Sequence, residues 1–266
     1  MTAVAEPIPA GRWWGRPLAE TRWLLEAARL TADPVWLGRG GIPHGDRREV
    51  VLLPGFLAGD NTLAPLAGWL WRIGYRPSVC GFVANVDCSE RALERVEQQV
   101  LRRHARSGRR VALIGHSRGG HFARALATRR PDLVSHAISL GADLQAMFHC
   151  SAPTLAAVGG ARRMLHQTGR ARSADCLTYR CHCAFGADFW AAFPQDRVRL
   201  TSVYSKGDGV VRWQAQLVPY ADCVEVTGSH VGLICNRKSY RAIAGALATP
   251  ELETKLGPND NLVLNF

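Results

Sequence analysis

The sequence lacks the features that would place the chain across a membrane or on nucleic acid. None of its apolar runs is long enough to span a bilayer, and residues 1–10 do not combine a basic stretch with an apolar one, as a secretory signal would. We therefore expect a soluble, cytoplasmic protein. Basic residues outnumber acidic ones by 33 to 22, but lysine is scarce, occurring only at Lys206, Lys238 and Lys255. The arginines are scattered, so we expect no nucleic-acid partner.

A zinc-binding pattern is also missing, although the chain has eight cysteines. Structural zinc is usually held by two pairs of ligands, with the members of a pair two to four residues apart. Cys176, Cys181, His182 and Cys183 are crowded together, and adjacent ligands cannot readily complete a tetrahedron. We expect no metal at this group. A disulfide within it and free buried thiols both remain open.

The most informative stretch that is present is Gly115-His116-Ser117-Arg118-Gly119. It follows the apolar run 111–114 and precedes a helical pattern, which is the strand–turn–helix context of a nucleophile elbow. Such a turn holds its serine in a sparsely populated backbone conformation and needs glycine where helix and strand approach. We predict that Ser117 is a nucleophile. The alternative is a tight turn that carries a serine for solubility or capping.

Three further motifs, together with this one, occur in a characteristic order along the chain. They are residues 50–56, an apolar strand running into Pro-Gly-Phe, residues 204–211, and residues 228–230. Together the four motifs resemble the α/β-hydrolase superfamily, and within it bacterial lipases and esterases, over roughly residues 48–247. The resemblance implies an α/β-hydrolase fold with a mostly parallel sheet, helices on both of its faces and a helical cap insertion. It also implies a small-molecule ester substrate and no cofactor.

The order of apolar and helical patterns is consistent with one such domain over residues 1–266. Strand patterns alternate with helical ones, which favours a parallel sheet covered on both faces. The predicted strands are 50–56, 75–82, 111–114, 136–140, 198–205 and 223–227, and the predicted helices are 63–73, 90–105, 118–130 and 239–247. The remaining parts are an N-terminal arm and helix (1–47), a cap insertion (about 143–197) and a C-terminal tail (249–266).

The N-terminal helix has an unusual composition. Residues 17–32 show an amphipathic pattern, and Trp13, Trp14 and Trp36 flank it. We predict that the helix packs on the surface of the domain. The alternative is peripheral membrane contact through this tryptophan-rich segment. The sequence does not predict an oligomeric state.

Acyl transfer by a serine needs an imidazole that takes its proton and a carboxylate that orients the imidazole. In the superfamily these residues follow one another in the order serine, acid, histidine. The resemblance therefore implies Asp208 as the acid and His230 as the base, since each follows a predicted strand. Asp143 is the rival acid because it follows the strand after that of Ser117.

The resemblance also implies an oxyanion hole made by two backbone N–H groups, those of Phe56 and Arg118. Pro54 stands where these proteins often have a histidine, so the side-chain hydrogen bond that would brace this loop is expected to be missing.

Apolar side chains in the cap and beside the predicted oxyanion hole favour an ester with an apolar acyl chain. We predict that Leu57, Phe189 and Trp190 contact this chain. The alternative is that the aromatic residues only pack the cap onto the sheet. The predicted function is a serine hydrolase of carboxylic esters. A thioesterase or an acyltransferase with the same triad, and a non-catalytic binding protein of the same fold, are the alternatives.

Overall fold

A six-stranded parallel sheet forms the centre of the protein, which is described here from a computed structural model covering residue 8 and residues 11–252. The predicted tail lies outside these residues beyond position 252, as does most of residues 1–10. The strand order is β2-β1-β3-β4-β5-β6, and each neighbouring pair runs parallel. The strands are β1 (Glu49–Leu53), β2 (Arg76–Ser78), β3 (Val111–His116), β4 (Val134–Leu140), β5 (Arg199–Tyr204) and β6 (Asp222–Glu225).

Helices cover both faces of the sheet because successive side chains of a strand point to opposite faces. In β1, Val51 and Leu53 pack with one group of helices, and Val50 and Leu52 pack with the other. The first group includes α4 (Ser89–Ser107) and α5 (Arg118–Arg129), and the second includes α3 (Ala64–Arg72) and α8 (Arg237–Ala248). The predicted layered arrangement is therefore confirmed.

The second strand is shorter than the sequence predicts. Residues 75–82 are predicted as a strand, but only Arg76–Ser78 pairs with β1. The next residues turn away at Gly81, whose φ is +80°, and the Asp60 carboxylate accepts the N–H groups of Gly81 and Phe82 at 2.6 and 3.0 Å. These donors are thereby withdrawn from the sheet.

The N-terminal segment forms two helices, α1 (Pro17–Glu20) and α2 (Trp23–Thr31), instead of one. The break coincides with Thr21, whose hydroxyl donates to the Leu18 carbonyl and so competes with the helical hydrogen bonds. Helix α2 buries Glu26 and Leu30 against the domain, as the packing prediction requires. Its Leu24 is exposed, and membrane contact through this segment stays a prediction. Among the described residues, no helix has the length and apolarity needed to cross a bilayer.

The predicted cap divides into two parts with different positions. Helix α6 (Ala152–Gln167) places Pro153, Thr154 and Ala157 over the carboxyl edge of the sheet, beside Ser117. Helix α7 (Ala184–Trp190) instead packs beside α5, where Phe185 meets Phe122 with ring centroids 5.7 Å apart. Only the first part therefore covers the carboxyl edge.

Candidate active site

Ser117 lies at a sharp turn between β3 and α5. Its φ of +51° and ψ of −122° form a strained conformation for a residue with a side chain. The neighbouring glycines are required by close approach: a Cβ on Gly115 would lie 2.1 Å from the Gly119 carbonyl oxygen, and one on Gly119 would lie 2.1 Å from that of Leu53. The turn brings Ser117 to the carboxyl edge of the sheet, where it lines two cavities.

Asp208 and His230 meet at the same edge, at the ends of β5 and β6. His230 Nδ1 lies 2.7 Å from Asp208 Oδ2, and both residues are buried. Asp208 Oδ1 also accepts the N–H groups of Val210 and Val211, at 2.8 and 2.7 Å. The buried amide of Gln216 donates to Asp208 Oδ2 at 2.9 Å. A buried carboxylate is stable only when donors compensate its lost hydration, and these four contacts supply such donors and hold the side chain in one orientation.

Asp143, the rival acid, pairs with a different histidine. Its Oδ1 lies 2.5 Å from His121 Nε2, and its Oδ2 accepts the N–H of His149 at 2.7 Å. His121 belongs to α5 and lines the smaller of the two cavities. The geometry therefore pairs His230 with Asp208 and leaves Asp143 with His121.

The surroundings of His230 act on its charge in opposite directions. Burial, the largest influence, lowers its pKa, but the Asp208 carboxylate, through its charge and its hydrogen bond, raises the pKa, and the net result lies above the ordinary value. His116 lies against it, with ring centroids 4.9 Å apart, and its Nε2 is 3.0 Å from the His230 carbonyl oxygen. Burial lowers the pKa of His116 to about 3, so this ring is neutral and donates to that carbonyl.

The loop at 54–58 is braced by residues that sequence analysis missed. The Asn85 amide donates to the Pro54 carbonyl at 2.8 Å, and the Asn85 N–H donates to that of Ala58 at 2.9 Å. The Arg118 guanidinium in turn donates to the Asn85 side-chain oxygen at 2.8 Å and to its carbonyl at 2.9 Å. Burial lowers the pKa of Arg118 to about 10, which leaves it charged at neutral pH. Asn85 thus supplies the brace that Pro54 was expected to remove.

Ser117 opens into a larger cavity of about 430 Å³ and a smaller one of about 40 Å³. Phe56 lines both, as Ser117 does, and His230 lines the larger one. The apolar walls of the larger cavity are Leu57, Ala58, Ala157, Val210, Val231 and Ile234. Those of the smaller cavity are Phe148, Val158, Leu177 and Val211.

Two predicted substrate contacts are displaced from these cavities. Phe189 is fully buried in the core beside α5, with its ring centroid 5.3 Å from that of His121, and Trp190 is 48% exposed. Neither lines a cavity that Ser117 opens into. The structure thus places Phe189 and Trp190 away from both cavities, because the helix that carries them packs beside the sheet instead of above its edge. Leu57 does line the larger cavity.

All eight cysteines carry free thiols in the structure. Cys181 Sγ and Cys183 Sγ lie 2.7 Å apart, and the side chain of Cys176 interacts with that of Cys88, the residue that precedes α4. Within the described ranges, we find no group of three or more histidine, cysteine or acidic residues that could hold a metal ion. A disulfide within the cap stays one of the two predicted alternatives.

Comparison with solved structures identifies the fold. The Bacillus licheniformis lipase BlEst2 in its mature form superposes with a TM-score of 0.54 at 12% identity, covering 79% of this chain and 95% of the lipase. The Paleococcus ferrophilus monoacylglycerol lipase superposes with a TM-score of 0.52 at 15% identity, covering 77% of this chain and 96% of that lipase. The Aspergillus fumigatus lipase B superposes with a TM-score of 0.52 at 16% identity, covering 80% of this chain and 55% of that lipase. No protein-family profile matches the sequence. At these identities the likeness concerns the fold, and the α/β-hydrolase fold expected from the motifs is confirmed.

The two histidine–carboxylate pairs can be distinguished in solution. Each places a ring N–H against a buried carboxylate, so we expect two protons at very low field in the NMR spectrum. Asp208→Asn should remove the signal of His230 and keep that of His121, and Asp143→Asn should do the reverse. Loss of the His230 signal in Asp143→Asn alone would contradict the observed pairing.

Proposed function

We propose that the protein is a serine hydrolase of carboxylic esters with an apolar acyl chain, acting through an acyl-enzyme on Ser117. The observation that carries this proposal is the buried His230–Asp208 pair, 2.7 Å apart, whose imidazole lines the same cavity as a serine in a strained strand-to-helix turn. A serine hydroxyl is a weak nucleophile at neutral pH, and an oriented imidazole beside it is the usual means of activation.

In the proposed reaction, His230 Nε2 takes the Ser117 proton as the oxygen attacks the ester carbonyl carbon. The alcohol then leaves with that proton. Water attacks the acyl-enzyme with His230 acting again as base, the bond from the acyl carbon to Ser117 Oγ breaks, and the carboxylic acid leaves as His230 returns the proton to Oγ. Asp208 holds Nδ1, so the ring presents the correct nitrogen, and its charge stabilises the imidazolium that forms. Gln216 and the two backbone donors keep Asp208 in place throughout.

The developing oxyanion needs donors that are already oriented. We assign this role to the backbone N–H groups of Phe56 and Arg118, two residues that line the small cavity together with Ser117. Support comes from the hydrogen bonds of Asn85 and of the Arg118 guanidinium, which hold the loop of Phe56 close to the turn of Ser117.

The apolar walls of the larger cavity favour an acyl chain over a charged or sugar-based group. Each methylene removed from water contributes about 0.8 kcal/mol. A thioester substrate, or transfer of the acyl group to an alcohol other than water, would use the same residues. Product analysis with a competing alcohol separates hydrolysis from transfer.

Replacement of the serine tests the chemistry. Ser117→Ala should lower kcat toward a short-chain nitrophenyl ester by several orders of magnitude while the fold is kept, because the attacking oxygen is removed. A fluorophosphonate should label the unmodified protein and not this variant. Ser107→Ala, at the distant end of α4, is the matched control and should behave like the unmodified protein. Ester turnover that survives Ser117→Ala would disprove the assignment, and an unmodified protein that resists all serine-directed probes would favour a binding protein.

The dependence of activity on pH follows from the raised pKa of His230. The imidazole must be neutral to accept the serine proton, so kcat/KM should rise with pH through a pKa above the ordinary 6.5 and be lost below it. Asp208→Asn removes the carboxylate that raises this pKa, and the acidic limb should move to lower pH as the rate falls. A limb at or below pH 6.5 in the unmodified protein would contradict the proposed environment of the base.

The length of the acyl chain tests the substrate class. Catalytic efficiency should climb several-fold for each added pair of methylenes from acetate to about octanoate, because the chain enters the larger cavity. Ala157→Trp narrows that cavity and should flatten the slope, whereas Trp190→Ala lies outside it and should leave the slope unchanged. A flat profile in the unmodified protein would eliminate the apolar acyl chain and leave a generic esterase.

A further inference from the structure

The N-terminal segment touches both loops that carry the proposed acid and base. The Arg16 N–H donates to the Gly209 carbonyl at 2.9 Å, directly after Asp208, and α1 follows immediately. Nothing in the proposed chemistry requires this segment, which precedes the first strand of the sheet. Its contacts nevertheless converge on the carboxyl ends of β5 and β6.

Glu20, the last residue of α1, is the main point of contact. Its Oε1 accepts the Gly209 N–H at 2.9 Å and the His230 N–H at 3.0 Å, and its Oε2 accepts the Val231 N–H at 2.8 Å. One carboxylate thus joins the loop of Asp208 to the loop of His230. This link is separate from the hydrogen bond between the two side chains. Hydrogen bonds from N–H groups to a carboxylate are among the stronger ones in proteins.

Glu26 of α2 makes a second attachment to the same loop. Its carboxylate accepts the Ser229 N–H at 2.9 Å and the Ser229 hydroxyl at 3.2 Å, and the side chain is only 7% exposed. A buried carboxylate without donors would be strongly destabilising, so these contacts also favour the docked position of α2.

Glycines in both loops make room for these carboxylates. A Cβ on Gly209 would lie 2.8 Å from Glu20 Oε1 and 2.6 Å from the Arg16 carbonyl oxygen. A Cβ on Gly232 would lie 1.4 Å from Glu26 Oε2. Each loop therefore accepts the N-terminal carboxylates only because it lacks a side chain at the point of approach.

From these contacts we propose that Glu20 is a positioning residue, whose carboxylate fixes the Asp208 and His230 loops relative to each other for the reaction. This inference rests on the proposed function of those two residues. Glu20 acts through backbone N–H groups and not on the substrate. Its loss would remove no side chain from the acyl cavity but would disturb the alignment of the base.

Several charged or titratable groups face His230. Asp208 is bonded to the ring, Glu20 lies at its N–H, Asp143 contributes from the end of β4, and Glu26 lies at the preceding residue. His116, whose ring is tilted against that of His230, is neutral. The negative charge of Glu20 favours the imidazolium, so its removal should lower the pKa of His230.

Glu20→Gln and Glu20→Ala in the full chain test the proposal. Glutamine keeps the size but has no charge and only one acceptor oxygen for three donors. We expect kcat to fall about 10- to 100-fold in both variants, because small misplacements of a base are costly, while KM changes little. The acidic limb of the pH profile should move to lower pH. Glu94→Gln, which removes a surface carboxylate paired with Arg172, is the matched control and should change neither kcat nor the acidic limb.

A glycine pair tests the same contact from the other side. Gly209→Ala should push Glu20 away and lower kcat in the same way. Gly245→Ala lies in α8, where a Cβ would meet nothing within 4 Å, and should leave kcat unchanged. A lower kcat in both variants would point to a general effect of replacing glycine and would overturn the positioning role of Glu20.

Titration of the His230 ring by NMR separates this proposal from the proposed function. If the unmodified protein neither turns over esters nor reacts with a fluorophosphonate, the proposed function fails, yet Glu20→Gln should still lower the His230 pKa and speed exchange of the His230 and Val231 amide protons. The positioning role is overturned if Glu20→Gln lowers only the denaturant midpoint, with kcat, the pH limb and the ring titration unchanged.

Discussion

The close approach of α5 to β1 and β3 is the contact on which the site depends. The Gly119 Cα faces the Leu53 carbonyl so closely that a Cβ there would lie 2.1 Å from its oxygen. Leu53 ends β1 and leads directly into Pro54 and Gly55. One backbone contact therefore sets the turn of Ser117 and the start of the neighbouring loop together, and the side chains of Asn85 and Arg118 then hold that loop in place.

Hydrogen bonds between histidines and carboxylates position the side chains of the site. The structure buries two histidine–carboxylate pairs, one between β5 and β6 and one between α5 and the end of β4. A buried carboxylate costs free energy unless donors surround it, and Asp208 has four while Asp143 has two. The better-satisfied carboxylate is the one that orients His230.

The layered architecture could be predicted from the sequence because the main strands are apolar runs. Ser117, Asp208 and His230 could be predicted to lie at one edge of the sheet because parallel strands end there together. The sequence did not identify Glu20, Asn85 or Gln216. Glu20 and Asn85 act on backbone groups far along the chain, Gln216 donates to a carboxylate eight residues away, and no side-chain motif marks such contacts. Phe189 and Trp190 were misplaced because an apolar pattern indicates burial without indicating the layer in which a helix lies.

Arg118 limits how this site can be redesigned. On the proposed mechanism its main chain supplies one oxyanion donor, while its guanidinium holds Asn85 and thereby the loop that supplies the other. Any residue except proline would keep the first donor, but the second depends on the guanidinium, whose Nη1 donates to Asn85 and whose Nη2 donates to the Asp87 carbonyl and the Ser89 hydroxyl. Lysine lacks this planar fork. An engineer who wants another substrate should therefore randomise the cavity walls on α6 and around Val210, and should keep position 118 fixed throughout the library.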